Sequence, residues 1–157
     1  MRPQNEATRI RRARPSDGTA LVEMQREFYR EDRITHGAAN ARALHRLLRS
    51  PLAGVIWVIE TTGARQRAKV GYLVLTIGYS LERGGRDSFI DELYVRSEWR
   101  GRGLGTLAVA TAEAGARRLR VRAVHLEVDT TNDRARRLYE RVGFTMRHRY
   151  HLMTKVL

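Results

Sequence analysis

Residues 95–110 read Val-Arg-Ser-Glu-Trp-Arg-Gly-Arg-Gly-Leu-Gly-Thr-Leu-Ala-Val-Ala, and this stretch decides the fold. A strand-like run ends at Val95, glycines follow at 101, 103 and 105, and small apolar residues then recur at helical spacing. Successive glycines let backbone N–H groups approach an anion closely. The start of the helix adds its dipole and its unsatisfied donors. Arg100 and Arg102 place formal positive charge beside the loop. In physical terms the segment is built for a pyrophosphate.

The loop alone leaves alternatives open. Gly103-x-Gly105-x-x-Ala108 also satisfies a dinucleotide fingerprint, with Glu127 or Asp129 about 20 residues downstream. Against that, residues 96–102 separate the glycines from the strand, and the preceding strands form an antiparallel meander instead of an opening βαβ unit. No Gly-Lys-Ser/Thr follows, which excludes an NTPase P-loop. A glycine turn that merely starts a helix is the bland alternative.

Outward from the loop, the pattern is consistent in both directions. Upstream, Ile10 to Ala13 reads as a short strand, with Ser16 and Asp17 offering an N-cap to a helix carrying Leu21, Met24 and Phe28 on one side. A second helix is expected over Ala41 to Arg49, ended by Pro51. Val55 to Glu60, Val70 to Tyr79 and Phe89 to Val95 are rich in β-branched and aromatic residues. Gly63, Gly71 and Gly78 flank them, and Gly84-Gly85 turns the chain before the third strand. Downstream come a helix over 103–118, a strand from Val124 to Asp129, a helix from Asp133 to Arg141, and a final strand pair from Phe144 through Tyr150 to Val156. The order β-α-α-β-β-β-α-β-α-β-β implies a mixed, mostly antiparallel α/β sheet with helices on both faces. The whole chain, 1–157, reads as one domain.

Composition narrows the function. Cysteine is absent, which excludes a disulfide framework, a thiolate metal site and a cysteine acyl-enzyme, and fits a reducing, cytoplasmic setting. The opening residues MRPQNEATRIRR lack the apolar core of a signal peptide, and the longest apolar runs fall far short of the ~20 residues that cross a bilayer. The formal net charge is +13, yet Lys69 and Lys155 are the only lysines and the arginines are scattered from end to end. Nucleic acid is therefore not expected as the main partner, since no basic cluster with stacking aromatics is visible.

The second motif follows the strand at 124: Asn132-x-x-Ala135-x-x-Leu138-Tyr139-Glu140-x-x-Gly143-Phe144. Together, Arg100-x-x-Gly103-x-Gly105 and this run resemble the GCN5-related N-acetyltransferase (GNAT) superfamily. The resemblance is good over residues 70 to 150 and weak in the N-terminal part. Ser97 departs from the proline that many members carry, which affects loop stiffness more than chemistry.

The resemblance implies an acetyl-CoA-dependent N-acetyltransferase acting on a primary amine in a ternary complex, and leaves room for a homodimer. Two neighbouring parallel strands, Phe89 to Val95 and Val124 to Asp129, are then expected to splay apart around the pantetheine. The backbone of Leu93, Tyr94 and Val95 would bind it. N–H groups of Arg100, Gly101, Arg102, Gly103, Leu104, Gly105 and Thr106 would cradle the pyrophosphate, and Asn132 would anchor the cofactor from the far side. Tyr139 is implied as the acid beside the cofactor sulfur, its bland alternative being a core aromatic.

Three carboxylates compete for the base. Strict alternation puts Asp91 on a face with Phe89, Leu93 and Val95, where an apolar setting would raise its pKa. Glu92 falls on the other face with Ile90 and Tyr94. A β-bulge, frequent here in the family, would reverse that parity. Glu127 is the third, since ribosomal-protein N-terminal acetyltransferases place a glutamate there. Glu82, Asp87, Asp91 and Glu92 are expected to form a negative patch suited to a small cationic amine. The histidines at 36, 45, 125, 148 and 151 show no ligand spacing, so no metal is expected.

Overall fold

The computed structural model describes residues 7–62 and 67–157. Most of the opening segment and the Gly63 flank thus lie outside the described residues. By packing, the chain divides into Met1–Glu127 and Val128–Leu157.

The first unit holds β1 (Thr8–Arg12), α1 (Gly18–Glu31), α2 (Ala38–Leu48), β2 (Gly54–Thr61), β3 (Lys69–Ser80), β4 (Gly85–Val95), α3 (Leu104–Arg118) and β5 (Val124–Leu126). The sheet order is β1-β2-β3-β4-β5, antiparallel throughout except for the parallel pair β4 and β5. Every residue of β2 is buried, because helices cover both faces of the sheet. On one face Leu21, Val22 and Met24 of α1 and Leu44 of α2 pack on Ile56, Val58, Tyr72, Val74 and Tyr94. On the other, α3 buries Leu104, Ala108, Val109, Ala112 and Ala116. Its Gly115 lets the helix close on Trp57, where an added Cβ would stand 2.6 Å from the ring.

Asp17 does not cap α1 through its side chain. It is buried, and accepts instead from the Arg14 N–H at 2.8 Å and from both terminal nitrogens of Arg11 at 2.8 and 2.9 Å. Arg11 also donates to buried Glu60, tying β1, β2 and the start of α1 together.

The second unit is α4 (Asp133–Arg141) with its flanks. Asn132 caps it, its Oδ1 accepting from the Ala135 N–H at 3.0 Å. At the other end Gly143 takes φ +100°, the Gly143 N–H bonds the Glu140 carbonyl, and the Phe144 N–H bonds the Tyr139 carbonyl. The Phe144 ring meets Tyr139 edge-on at 5.8 Å. This is a Schellman cap with its apolar contact.

The expected strand pair beyond Phe144 is not formed. Residues 144–157 contain no strand. The Tyr150 N–H bonds the Arg147 carbonyl, and the Arg147 guanidinium lies 4.3 Å from the Tyr150 ring centre. A local turn forms there instead. β5 is also shorter than expected, ending at Leu126 instead of Asp129.

Candidate functional site

The site begins with one extra residue. Val74 pairs with Glu92 and Leu75 with Ile90, so Asp91 stands unpaired in a β-bulge. The bulge reverses the parity of β4. Before it, the Ser88 N–H bonds the Ala123 carbonyl toward β5; after it, the Arg96 N–H bonds the Val70 carbonyl toward β3. Alternation then sends the peptide groups of Leu93 and Val95 to the edge facing away from β3. The β4–β5 ladder stops at the Ile90–Leu126 pair, and the two strands part there.

Leu93 and Val95 therefore offer edge peptide groups, whereas Tyr94 lies opposite Tyr72 in the β3 ladder and does not. The Val95 carbonyl already accepts from Arg100 Nε at 2.7 Å. In the loop, Gly101 and Gly103 take φ +80° and +78°, conformations that favour glycine. The first intrahelical bond runs from the Leu107 N–H to the Gly103 carbonyl, and no side chain caps the helix. The N–H groups from Gly101 to Thr106 have no backbone acceptor among the described residues. A Cβ built on Gly103 meets nothing within 4 Å, so the approach to these donors is open.

The arginines do something other than expected. The Arg100 N–H bonds the Ser97 carbonyl, and its guanidinium pairs with Glu31 at the end of α1. Arg102 donates to the Glu98 carbonyl and lies 4.4 Å from the Trp99 ring centre. Both brace the loop from outside, and the donors it offers are main-chain ones.

The bulge also sorts the acids. Glu92 is buried on the face covered by α1. It accepts from Tyr29 OH at 2.5 Å, Tyr72 OH at 2.7 Å and Gln25 Nε2 at 3.0 Å, so both oxygens are engaged. Burial and the Glu92 charge push the phenols of Tyr29 and Tyr72 upward, which keeps them protonated donors. His36 Nε2 lies 3.0 Å from Gln25 Oε1 and extends the network to the segment after α1. Asp91, by contrast, is exposed. Partial desolvation, then the charges of Glu92 and Glu127, raise its pKa. The expected rise in the Asp91 pKa is present, while the buried carboxylate of the pair is Glu92.

The expected four-acid patch is not formed either. Glu82 sits at the β3–β4 turn beside Arg83, and Asp87 lies 3.5 Å from His125. Asp87 and Asp91 are about 13 Å apart at the usual strand rise. Asp91, Glu92 and Glu127 are the acids that act on one another.

The sequence reading missed Gln25, Tyr29 and Tyr72. Gln25 falls on the same helical stripe as Leu21, Met24 and Phe28, and a polar residue at a core position is the signal that points to it. In the second unit, Asn132 has its Oδ1 committed to the cap. Tyr139 is half-buried, and burial pushes its phenol up to about 12, so it stays protonated through neutral pH. Among the described residues, no group of three or more His, Asp or Glu could hold a metal.

Comparison with known proteins decides what this arrangement belongs to. The model of the acetyltransferase (GNAT) family matches residues 18–144. The chain belongs to that family. The GNAT match spans both motifs and both units. An integron cassette protein from the mobile metagenome of Cole Harbour Salt Marsh is 35% identical, with 94% of this chain and 90% of that one covered and a TM-score of 0.80. An aminoglycoside N-acetyltransferase in complex with CoA shares the GNAT fold at 14% identity, 99% of each chain covered and a TM-score of 0.80. A ribosomal-protein-alanine N-acetyltransferase from Brucella melitensis biovar Abortus 2308 shares it at 15% identity, 96% of this chain and 100% of that one covered, TM-score 0.74. No curated protein matches by sequence.

Proposed function

We propose that this acetyltransferase moves the acetyl group of acetyl-CoA to a primary amine of a small molecule, by direct attack in a ternary complex. The observation that carries the reading is the parting of β4 and β5 at a bulge, which leaves the Leu93 and Val95 peptide groups as an extended rail. Leu93 and Val95 hold the pantetheine, and the N–H groups of Gly101 to Thr106 take the pyrophosphate. The open approach over Gly103 supports this fit. Bound there, acetyl-CoA supplies the activated acyl group.

Asp91 takes the proton of the incoming ammonium. It is reachable from solvent, its pKa is raised toward the range that suits a base, and Glu92 and Glu127 add negative charge that draws a cation in. Glu92 has no oxygen left for an amine and positions the bulge from behind. Tyr139 gives its proton to the departing sulfur, the role its family motif implies, and Asn132 steadies the cofactor. The chain works as one domain in the cytoplasm, in line with its lack of cysteine.

A second reading, transfer to a protein N-terminus, is favoured by Leu126-Glu127-Val128 six residues before Asn132. The deciding experiment is a competition assay at physiological salt between small amines and peptides with free N-termini. Acetylation of small amines is expected. Turnover on peptides alone would promote the second reading, and cofactor binding without turnover on either would make the protein a sensor.

A further inference from the structure

A basic face stands apart from the acyl-transfer site. Between Asp32 and Glu60 the sequence contains no Asp or Glu, while arginines occupy 33, 42, 46 and 49. Arg42, His45, Arg46 and Arg49 follow i, i+3, i+4, i+7 spacing and so share one side of α2 and its last turn. All four are exposed. With Ser50 they line an open cleft of about 420 Å³.

Some arginines are answered by acids: Arg9 and Arg11 by Glu60, Arg96 by Glu27, Arg100 by Glu31, Arg136 by Asp133. Arg42, Arg46 and Arg49 have no carboxylate partner among the described residues. Like charges at helical i, i+4 spacing repel, while the helix dipole favours cations in the last turn, where His45 and Arg46 lie. The His45 ring fixes one wall, packed so closely on Gly18 that a Cβ there would meet the ring. Gly18 opens α1 and Tyr29, at Glu92, lies near its far end, about 16 Å along the helix.

We propose that Arg42, His45, Arg46, Arg49 and Ser50 form a binding site for a small anion carrying two or three linked phosphate groups. Guanidinium groups present paired donors that match phosphate oxygens, and Ser50 adds a hydroxyl at the end of the cleft. Three arginines match a di- or triphosphate and fall short of the ~6–10 phosphate contacts typical of nucleic-acid binding. The cleft has no Phe, Tyr or Trp on which a base could stack. The site is independent of the acyl-transfer reading, because it uses none of the same residues.

The test is calorimetry of the full chain with inorganic triphosphate, comparing wild type, the triple variant Arg42→Gln/Arg46→Gln/Arg49→Gln, and Gly103→Val in the glycine loop. Wild type is expected to bind triphosphate at a site that survives Gly103→Val and weakens at least about tenfold in the triple variant. Triphosphate should raise the Tm of wild type more than that of the triple variant. Without ligand, the triple variant should melt no lower than wild type, since it relieves repulsion. Arg46→Glu provides a single-site check on the same loss. Wild-type affinity in the triple variant, or loss of all triphosphate binding in Gly103→Val, overturns the proposal. So does duplex DNA that stays bound at a salt concentration where triphosphate no longer binds, since that would make the ligand a polymer.

Discussion

At the scale of single residues, Asp91 and Glu92 are neighbours with opposite fates, and two amide substitutions separate them. Asp91→Asn should leave stability nearly unchanged and remove the acidic limb of the rate profile. That limb is shifted upward from an ordinary aspartate, because activity rises as pH climbs through the raised Asp91 pKa. Glu92→Gln should instead lower stability by about 1–3 kcal/mol, since its new amide meets the hydroxyls of Tyr29 and Tyr72 and the amide of Gln25. Thermal melts and pH–rate curves on both variants read the two effects apart. The reverse pattern would move the base to Glu92. Tyr139→Phe should cut turnover by ~10²–10⁴ with cofactor affinity kept. Wild-type turnover there would leave Tyr139 with the packing role its contact with Phe144 already shows. Much of the second motif was readable for chemistry and is equally a capping device. Asn132 starts α4, and Gly143 and Phe144 end it.

At the scale of elements, the sequence placed each helix and the first four strands within a few residues, because their hydrophobic periods were unambiguous. It misjudged the elements whose limits depend on a neighbour. β5 stops at Leu126 because β4 departs from it, and the residues after Phe144 find no ladder. The bulge is legible only through family resemblance, since nothing in FIDELYV marks which residue is unpaired. The joint between β1, β2 and α1 carries its own test. The Arg11 hydrogen bonds hold buried Asp17 down at about 2, from an ordinary 3.8. A carboxylate with a depressed folded pKa contributes stability above its unfolded value and loses it as pH falls toward the folded one. Melts between pH 5 and pH 2 should therefore show a loss of roughly 2 kcal/mol from this group. Asp17→Asn should be less stable at pH 5 and should converge on wild type by pH 2. A constant difference across that range would remove the ion pair as the cause.

At the scale of the whole molecule, a formal charge of +13 on 157 residues makes long-range self-repulsion the dominant surface term. Raising NaCl from about 10 mM to 150 mM shortens the screening length from ~30 Å to ~8 Å and should raise the Tm. A falling Tm would show instead that pairs such as Arg96–Glu27 and Arg100–Glu31 outweigh the repulsion. The same charge looked compositional in the sequence, where the arginines are spread along the chain. On α2 the helical geometry gathers three of them on one side.

The single unpaired residue in β4 also acts as a phase slip in a wave of period two. Upstream of it the strand is locked to one phase by β5, and downstream to the other by β3. Removing position 91 altogether would therefore be far harsher than any replacement there. The residues from Glu92 to Val95 would be pulled back into the upstream phase, exchanging a carboxylate for Leu93 in front of the Tyr29 and Tyr72 hydroxyls and turning the rail toward β3. The fold thus makes the length of this strand, more than the identity of its residues, the quantity least free to drift.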